Sequence, residues 1–411
     1  LGNALLDMYA RCGMLVKAQE VLEELPVRNV VSWSALIAGY SKQGQHLEAL
    51  SCFERMQDEG LSPDVVTYIC VLKACDHTKT MNKVKQIHND IVMRGLLEKN
   101  DVLGNVLVDI YVKCGNLVEA THVHDNICVQ DIVSWSALIA GYAQHGQGQE
   151  ALNCFERMQC QGATPNAVTF ICILNACGST GAIDKGEGIH KELSSSGLLK
   201  KDIVLGNALV DMYAKCGFPA KAQQVLEKLP SRDTISWNAI LAGYAQQGQG
   251  QEALDCFERM QGEGILPNMV TFLCILNACS HSGLLDDAEI VFEDMTRKYG
   301  LTPSLEHQTC MVVVYGCAGH FEKVMSLIQT IPCSDCPSVW LALLGSCEKW
   351  GNVELGKLAF NQTIQLDHNC APAYALMASI FASANMQHDA QRVEVMRLKY
   401  AAGKRKRRKT S

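Results

Sequence analysis

Short polar residues recur at two fixed places in this chain. The segment 30–64, VVSWSALIAGYSKQGQHLEALSCFERMQDEGLSPD, is restated at 132–166 and at 234–268, a step of 102 residues each time. The fifth and last residues of the three copies form the pairs Ser34 with Asp64, Ser136 with Asn166, and Asn238 with Asn268. These side chains donate and accept hydrogen bonds, and such residues near a helix start also act as caps. A protein-docking scaffold gives no reason for variation confined to these types, so the pairs are candidate recognition residues.

A second pattern suggests zinc chemistry. Residues 332–336 read Pro-Cys-Ser-Asp-Cys and residues 190–192 read His-Lys-Glu, which match the two motifs of zinc-dependent nucleobase deaminases. The two halves lie about 140 residues apart in separate repeats, and His88, the period mate of His190, is followed by Asn-Asp. No second ligand pair follows Cys333 and Cys336 at zinc-site spacing. We therefore predict no catalytic residue, no metal site and no cofactor.

The elements that position the polar pairs are predicted to be helical hairpins. In segment 30–64, apolar residues at helical spacing precede a stop at Gln43-Gly44, and a second apolar stripe then runs towards Gly60 and Pro63. The expected helices are about ten and about fourteen residues long. Because so short a hairpin cannot bury both of its apolar faces alone, stacking on neighbours must complete the core. The sequence therefore predicts an all-α solenoid.

Repeat length separates two classes of solenoid. The tetratricopeptide pattern is partly present, with Trp33, Leu36, Gly39, Ala49 and Phe53 in place, but that class predicts uniform units of 34 residues. Here the units 30–64, 65–100 and 101–131 have 35, 36 and 31 residues, and the same order returns in the next triplet. A tetratricopeptide-like protein scaffold remains the rival interpretation.

Composition limits the partners and the compartment. The net charge is −7 although residues 404–409 are six consecutive basic ones, so the rest of the chain carries −13 and argues against broad, nonspecific phosphate binding. Twelve of the twenty cysteines recur at the 102-residue period, which predicts buried thiols and a reducing compartment. No membrane span is predicted. The chain begins in mid-unit and without methionine, which is expected of a fragment, and any targeting segment would lie upstream of Leu1. The recurring Trp33, Trp135 and Trp237 are predicted to lie in the core.

The stretches VVSWSALIAGY, VTFICILNAC and GNALVDMYAKCG resemble the pentatricopeptide repeat (PPR) family, specifically its plant subclass of P-, L- and S-type triplets. The resemblance covers residues 1 to about 398 and implies a right-handed superhelical solenoid of stacked helical hairpins. It divides the chain into a repeat array at 1–336, whose first repeat is truncated, two E-type hairpin motifs at 337–402, and a basic tail at 403–411 that we predict to be disordered.

The resemblance also implies single-stranded RNA binding with one base per repeat, chosen by the fifth and last residues. The implied choices are C for Asn3 with Asn29, G for Ser34 with Asp64, U for Asn105 with Asp131, A for Ser136 with Asn166, U for Asn207 with Asp233, and C for Asn238 with Asn268. The aliphatic second residues, which are placed to sandwich a base, are Val31, Val102, Val133, Val204 and Ile235. The unread positions are Ile69, Ile171, Leu273 and the pair Thr309 with Cys336. The expected site is 5'-CGNUANUC-3'.

What the resemblance implies beyond binding is a specificity factor for C-to-U RNA editing in a mitochondrion or chloroplast. A deaminase-carrying editing factor would then be the partner in trans, recruited through residues 337–402. The alternatives are an organellar factor for RNA stability or splicing, and the tetratricopeptide-like scaffold named above.

Overall fold

The computed structural model describes residues 2–78, 80–331 and 336–407, without the side chains of residue 77 and of residues 399–407. The chain divides into two compact units, Leu1–Ser195 and Ser196–Ser411. The helices of the first unit, the last of which ends at the boundary, are α1 Gly2–Arg11, α2 Leu15–Glu24, α3 Val30–Lys42, α4 His46–Asp58, α5 Val65–Thr78, α6 Met81–Met93, α7 Asp101–Lys113, α8 Leu117–Asn126, α9 Ile132–Gln144, α10 Gly148–Cys160, α11 Ala167–Thr180 and α12 Ile183–Ser196.

The second unit consists of hairpins of the same kind. Its helices are α13 Ile203–Lys215, α14 Pro219–Lys228, α15 Thr234–Gln246, α16 Gly250–Gly262, α17 Met269–Ser282, α18 Leu285–Arg297, α19 Leu305–Cys317, α20 Phe321–Thr330, α21 Pro337–Trp350, α22 Val353–Leu366, α23 Ala371–Ser383 and α24 Gln387–Arg407. Short 3-10 turns at Leu97–Lys99 and Leu198–Lys200 precede α7 and α13. No β-strand occurs over the residues described in either unit.

Successive hairpins stack through their first helices. In the first unit α1 packs on α3, α3 on α5 and α5 on α7, while in the second unit α13 packs on α15 and α15 on α17. The all-α solenoid of stacked hairpins is thereby confirmed. The predicted length of about ten residues was wrong for α3, which has thirteen, whereas α4, also of thirteen residues, agrees with the prediction of about fourteen. The reason is that Asn29 caps α3 and starts it at Val30, and that the turn at Gly44, with φ 76°, takes only three residues between the helices.

The tryptophans lie in the core, as predicted. Trp33, Trp135 and Trp237 are fully buried, and the guanidinium groups of Arg55, Arg157 and Arg259 lie over their rings at 5.2, 5.4 and 5.8 Å from the ring centroids. Loss of a fully buried tryptophan typically costs about 3–5 kcal/mol of stability. The tryptophans therefore hold the hairpins together and are not available to stack on a base.

The periodic cysteines are only partly the buried thiols that the sequence predicts. The buried ones are Cys52, Cys154, Cys256, Cys75, Cys177 and Cys279. By contrast, Cys12 is exposed and Cys114 and Cys216 are half-buried. These three residues follow the last residues of α1, α7 and α13, where the chain leaves the packed helix for a turn at the surface. The prediction of burial was wrong for Cys12 for this reason.

The C-terminal hairpins, α21 with α22 and α23 with α24, continue the stack beyond α20. Val339, Leu343, Leu344, Tyr374 and Met377 form much of their core. Helix α24 runs to Arg407, whereas the tail was predicted to begin at residue 403, and alanine, lysine and arginine are strong helix formers that favour such an extension. Residues 408–411 of that tail lie outside the described residues. Among the helices that the structure describes, none is long and apolar enough to cross a membrane.

Candidate functional site

The structure brings the two members of each predicted pair together. Direct hydrogen bonds join Asn3 Nδ2 to Asn29 Oδ1 at 3.3 Å, Ser34 Oγ to Asp64 Oδ1 at 3.3 Å, Asn105 Nδ2 to Asp131 Oδ2 at 3.0 Å, Asn207 Nδ2 to Asp233 Oδ1 at 3.1 Å, and Asn238 Nδ2 to Asn268 Oδ1 at 3.2 Å. The sixth pair is bridged, because the Thr169 hydroxyl lies 2.8 Å from Ser136 Oγ and donates to Asn166 Oδ1 at 3.0 Å. Residues 26 to 30 positions apart thus form one polar cluster per unit.

The last residue of each pair is also the N-cap of the following helix. Asn29 caps α3, Asp131 caps α9, Asp233 caps α15 and Asn268 caps α17, in each case by accepting a backbone N–H through its side-chain oxygen. Capping and recognition are therefore compatible roles. Because the cap bond requires an oxygen, the Oδ1 of an asparagine faces the helix and its Nδ2 group is the donor left for other partners. An aspartate in the same place has a second oxygen and remains an acceptor.

Two asparagines in the 31-residue units carry an acceptor without a partner. Asn207 is 7% exposed, and its Nδ2 group donates to both carboxylate oxygens of Asp233, at 3.1 and 3.2 Å. Its Oδ1 atom is buried and has no hydrogen-bond partner among the described residues, and the same holds for Asn105 Oδ1. An unpaired buried acceptor costs about 1–3 kcal/mol. Asn105 and Asn207 therefore each keep an unsatisfied acceptor within the polar cluster, as far as the described residues show.

The side-chain oxygen of Asn238, in a 35-residue unit, accepts a hydrogen bond from within the protein. The Thr271 hydroxyl donates to Asn238 Oδ1 at 2.7 Å. Thr271 is the third residue of the next unit, and its period mates are Thr67 and Thr169. Sequence reasoning missed these threonines, although their recurrence at the 102-residue step was a usable signal.

Exposed aliphatic residues flank the polar pairs. Val31, Val102, Val133, Val204 and Ile235 are 56–67% exposed. Val66, Val168 and Val270, the second residues of the 36-residue units, are also more than half exposed and extend the predicted set. The pair Ser34 with Asp64 lines an open groove of ≈ 450 Å³ together with Val31 and Val66. Two aliphatic side chains from successive units thus border one polar pair, which suits a flat ring between them.

Cations accompany the groove locally, despite the acidic body. Arg11 and Lys42 line the groove beside Ser34. A second groove of ≈ 490 Å³, in the same compact unit, is lined by Lys42, Lys73 and Lys113 together with Asp76 and Asp109. Ion pairs join Arg11 to Asp7 at 2.9 Å, and Lys113 to Asp76 at 3.2 Å and to Asp109 at 2.8 Å, so acidic side chains balance part of this positive charge.

Family comparisons match these repeats directly. A model described as the PPR repeat family matches residues 28–77, 130–179 and 232–281, and a PPR repeat model matches residues 3–30, 168–198, 207–233 and 270–299. The chain belongs to the PPR repeat family. A mitochondrial pentatricopeptide repeat-containing protein of Arabidopsis thaliana is 35% identical to this PPR chain over 383 residues, which is 93% of this chain and 68% of that protein.

A second relative has a chloroplast designation. The chloroplastic pentatricopeptide repeat-containing protein CRR2 of Arabidopsis thaliana is 36% identical over 402 residues, covering 96% of this PPR chain and 61% of CRR2. Another mitochondrial relative from the same plant is covered over 60% of its length. The chain thus spans about two thirds or less of these proteins. Their designations identify it as an organellar protein, as the sequence predicts.

Solved structures agree on the fold. The crystal structure of the pentatricopeptide repeat protein PPR10 in complex with an 18-nt psaJ RNA element superposes with a TM-score of 0.74 at 16% identity, covering 97% of this PPR chain and 60% of PPR10. At that identity the match supports the shared solenoid fold and no more.

Thr309 and Cys336, the pair without a base assignment, bond to other partners. The Thr309 hydroxyl donates to Leu305 O in its own helix, and Cys336 Sγ contacts Ser338 Oγ at 3.2 Å. Residues 332–335, which include Cys333 of the zinc pattern, lie outside the described residues. Within the described part of the chain, no three His, Cys, Asp or Glu side chains are grouped to hold a metal ion.

Proposed function

We propose that this PPR chain binds single-stranded RNA sequence-specifically, with one base for each readable pair. The observation that carries the proposal is the recurring cluster itself, a fifth and a last residue in contact beside an exposed aliphatic side chain. The buried, unpartnered Oδ1 of Asn207 supports it, because a base edge supplies the missing donor. PPR10, which shares the fold, was crystallised with RNA.

The last residue distinguishes bases by the centre of their Watson-Crick edge. Guanine and uracil carry an N–H there, whereas adenine and cytosine carry a bare nitrogen. The carboxylates of Asp64, Asp131 and Asp233 accept from an N–H and so favour G or U. The amides of Asn166 and Asn268 keep their oxygen on the helix cap, so that their Nδ2 groups donate to a bare nitrogen and favour A or C.

The fifth residue distinguishes bases by size. Serine at Ser34 and Ser136 leaves room for the two rings of a purine, while asparagine at Asn207 and Asn238 reaches further and leaves room for one ring. Together the two positions give C for Asn3 with Asn29, G for Ser34 with Asp64, U for Asn105 with Asp131, A for Ser136 with Asn166, U for Asn207 with Asp233, and C for Asn238 with Asn268. The proposed site is 5'-CGNUANUC-3'.

A gel-shift titration of the full chain tests this proposal. Labelled RNA containing CGNUANUC is compared at near-physiological salt with a copy in which both U positions are changed to A. We expect at least about tenfold tighter binding to the first RNA, on the order of 1.4 kcal/mol. Equal affinity for both RNAs would overturn base readout and favour the protein-scaffold alternative.

We further propose that the chain is a P-, L- and S-type PPR protein that selects sites of organellar C-to-U RNA editing. Repeat units fill 1–336, residues 337–402 are E-type motifs, and these recruit a deaminase-carrying factor in trans. The alternating unit lengths support this organisation. Conversion of a cytidine to uridine distinguishes this editing role from a role in RNA stability or splicing.

The editing proposal has its own test. Organelle extract lacking this factor is supplemented with the full chain and with RNAs that carry a cytidine at successive distances 3' of the site, and conversion to uridine is sequenced. Conversion at one distance, dependent on the site, is the expected result. Tight and specific binding without conversion at any distance would contradict editing and favour the stability or splicing role.

A further inference from the structure

Three threonines lie directly behind the polar pairs of the 35-residue units. Thr67, Thr169 and Thr271 are the third residues of the units that follow, and all three are fully buried. Each contacts both members of the preceding pair. The Thr67 hydroxyl donates to Asp64 Oδ1 at 2.7 Å and contacts Ser34 Oγ, and the Thr271 hydroxyl lies 2.7 Å from Asn238 Oδ1 and 3.1 Å from Asn268 Oδ1.

The junctions after the 31-residue units have a serine in this place, and its hydroxyl does not contact the fifth residue. Ser134 Oγ donates to Asp131 O at 3.0 Å and Ser236 Oγ donates to Asp233 O at 2.8 Å, which are the backbone carbonyls of the cap residues. Neither serine fills the oxygen of the fifth residue, because Asn105 Oδ1 and Asn207 Oδ1 have no partner among the residues described. After a 35-residue unit, the third residue of the next unit therefore contacts the fifth residue of the unit before it. After a 31-residue unit it makes no hydrogen bond to the oxygen of that fifth residue.

We propose that Thr67, Thr169 and Thr271 are positioning residues that set the base preference of the preceding unit. The inference rests on the proposed RNA readout. The Thr271 proton occupies one of the two lone pairs of Asn238 Oδ1, so this asparagine is a weaker acceptor for the N3–H of uracil. Asn268 Nδ2 then decides in favour of the bare N3 of cytosine. No hydroxyl among the described residues bonds the corresponding oxygen of Asn207, and there the Asp233 carboxylate accepts the N3–H of uracil.

Proton counting extends the argument to the pair Ser136 with Asn166. A hydroxyl has one proton, and that of Thr169 goes to Asn166 Oδ1 at 3.0 Å. Thr169 Oγ1 therefore accepts the proton of Ser136, 2.8 Å away. Ser136 then faces the base with lone pairs only, which suits the exocyclic amino group of adenine, while Asn166 Nδ2 suits the adenine N1 atom.

This role gives the 36-residue units a part in recognition. Their own fifth residues, Ile69, Ile171 and Leu273, have no hydrogen-bonding group for a base. Through their third residue they act on the base of the unit before them. A base is thus read by three residues from two units, two of which touch it while the third orients them.

The test is a change of base preference at one RNA position. Thr271→Val in the full chain removes the hydroxyl at nearly constant volume, and competition gel shifts compare RNAs ending in CGNUANUC and CGNUANUU. We expect the preference for C over U to fall about fivefold, the scale of one hydrogen bond. The preferences at the other positions should not change. Thr271→Ser keeps the hydroxyl and should restore the preference.

Ser236→Ala is the matched control, because the Ser236 and Thr271 hydroxyls each accept from the backbone N–H of their cap residue, Asp233 or Asn268, whereas Asn207 Oδ1 has no partner among the described residues. It should leave the C to U ratio unchanged, and circular dichroism melts verify that each variant is folded. An unmodified chain without preference for C at this position would overturn the proposed readout together with this inference. A normal preference in the unmodified chain that Thr271→Val leaves intact, or that Thr271→Ser loses equally, would overturn this inference alone.

Discussion

Asn207 and Asn238 lie in the same compact unit, at the same place in their repeats, and yet present different chemistry. Asn207 donates to the carboxylate of Asp233 and keeps a buried oxygen without a partner in the described structure. Asn238 donates to the amide oxygen of Asn268, and its own side-chain oxygen accepts from the Thr271 hydroxyl. The residue type is identical, so the difference comes from the last residue and from the next hairpin. A fifth residue is therefore interpretable only with its neighbours.

The largest effect is expected when the last residue of one site is converted to that of the other. Asp233→Asn replaces the acceptor facing the base by a donor, so the unit should change its preference from U to C. We expect a change of at least about tenfold in the U to C affinity ratio. Competition gel shifts with RNAs that differ at this one position measure it.

The control for this change is Asp202→Asn. Asp202 caps α13 through its carboxylate but is the last residue of a unit whose fifth residue is Ile171. The same loss of charge should therefore leave the base preference unchanged. Asparagine caps a helix about as well as aspartate, which keeps both variants folded. An unaltered U preference in Asp233→Asn would mean that the last residue does not face the base.

A smaller effect, equal at the two sites, is expected from the aliphatic residues beside them. Ile235→Ala and Val204→Ala remove apolar contact with the faces of a base, and each should weaken RNA binding about fivefold for every base. Leu266→Ala is the matched control, because Leu266 is 76% exposed but lies in the turn after α16. A variant whose base preference changed while its affinity stayed normal would contradict the sandwich role.

The smallest effect concerns stability without RNA. Asn238→Ala loses hydrogen bonds to Asn268 and Thr271, whereas Asn207→Ala loses the bond to Asp233 together with a buried unpaired oxygen. The free energy of unfolding should therefore fall further in Asn238→Ala, by about 1 kcal/mol. Thermal melts of the two variants, whose sites share one compact unit, make the comparison. Equal losses would show that Asn207 Oδ1 is already satisfied in solution.

Much of the fold could be predicted because its signals are local. Apolar spacing and turn glycines indicated the hairpins, and the 102-residue period indicated the stacking. The same period predicted the buried tryptophans and singled out Asn238 and Asn268, while the resemblance to the PPR family paired Asn207 with Asp233 in advance. Helix lengths were less predictable, since the cap at Asn29 rather than the apolar pattern begins α3. Cys12 was misjudged because the pattern does not show where a helix leaves the core.

The sequence by itself determined the repeat architecture, the family and the identity of the polar pairs. Each of these depends on residue type and on spacing along the chain, which a linear pattern contains. Only the tertiary structure decided that Thr271 donates to Asn238 Oδ1 and that Asn207 Oδ1 has no partner among the described residues. The physical reason is that a hydrogen bond requires donor and acceptor within about 3 Å and in line. That geometry arises only when the helices of successive hairpins pack against each other.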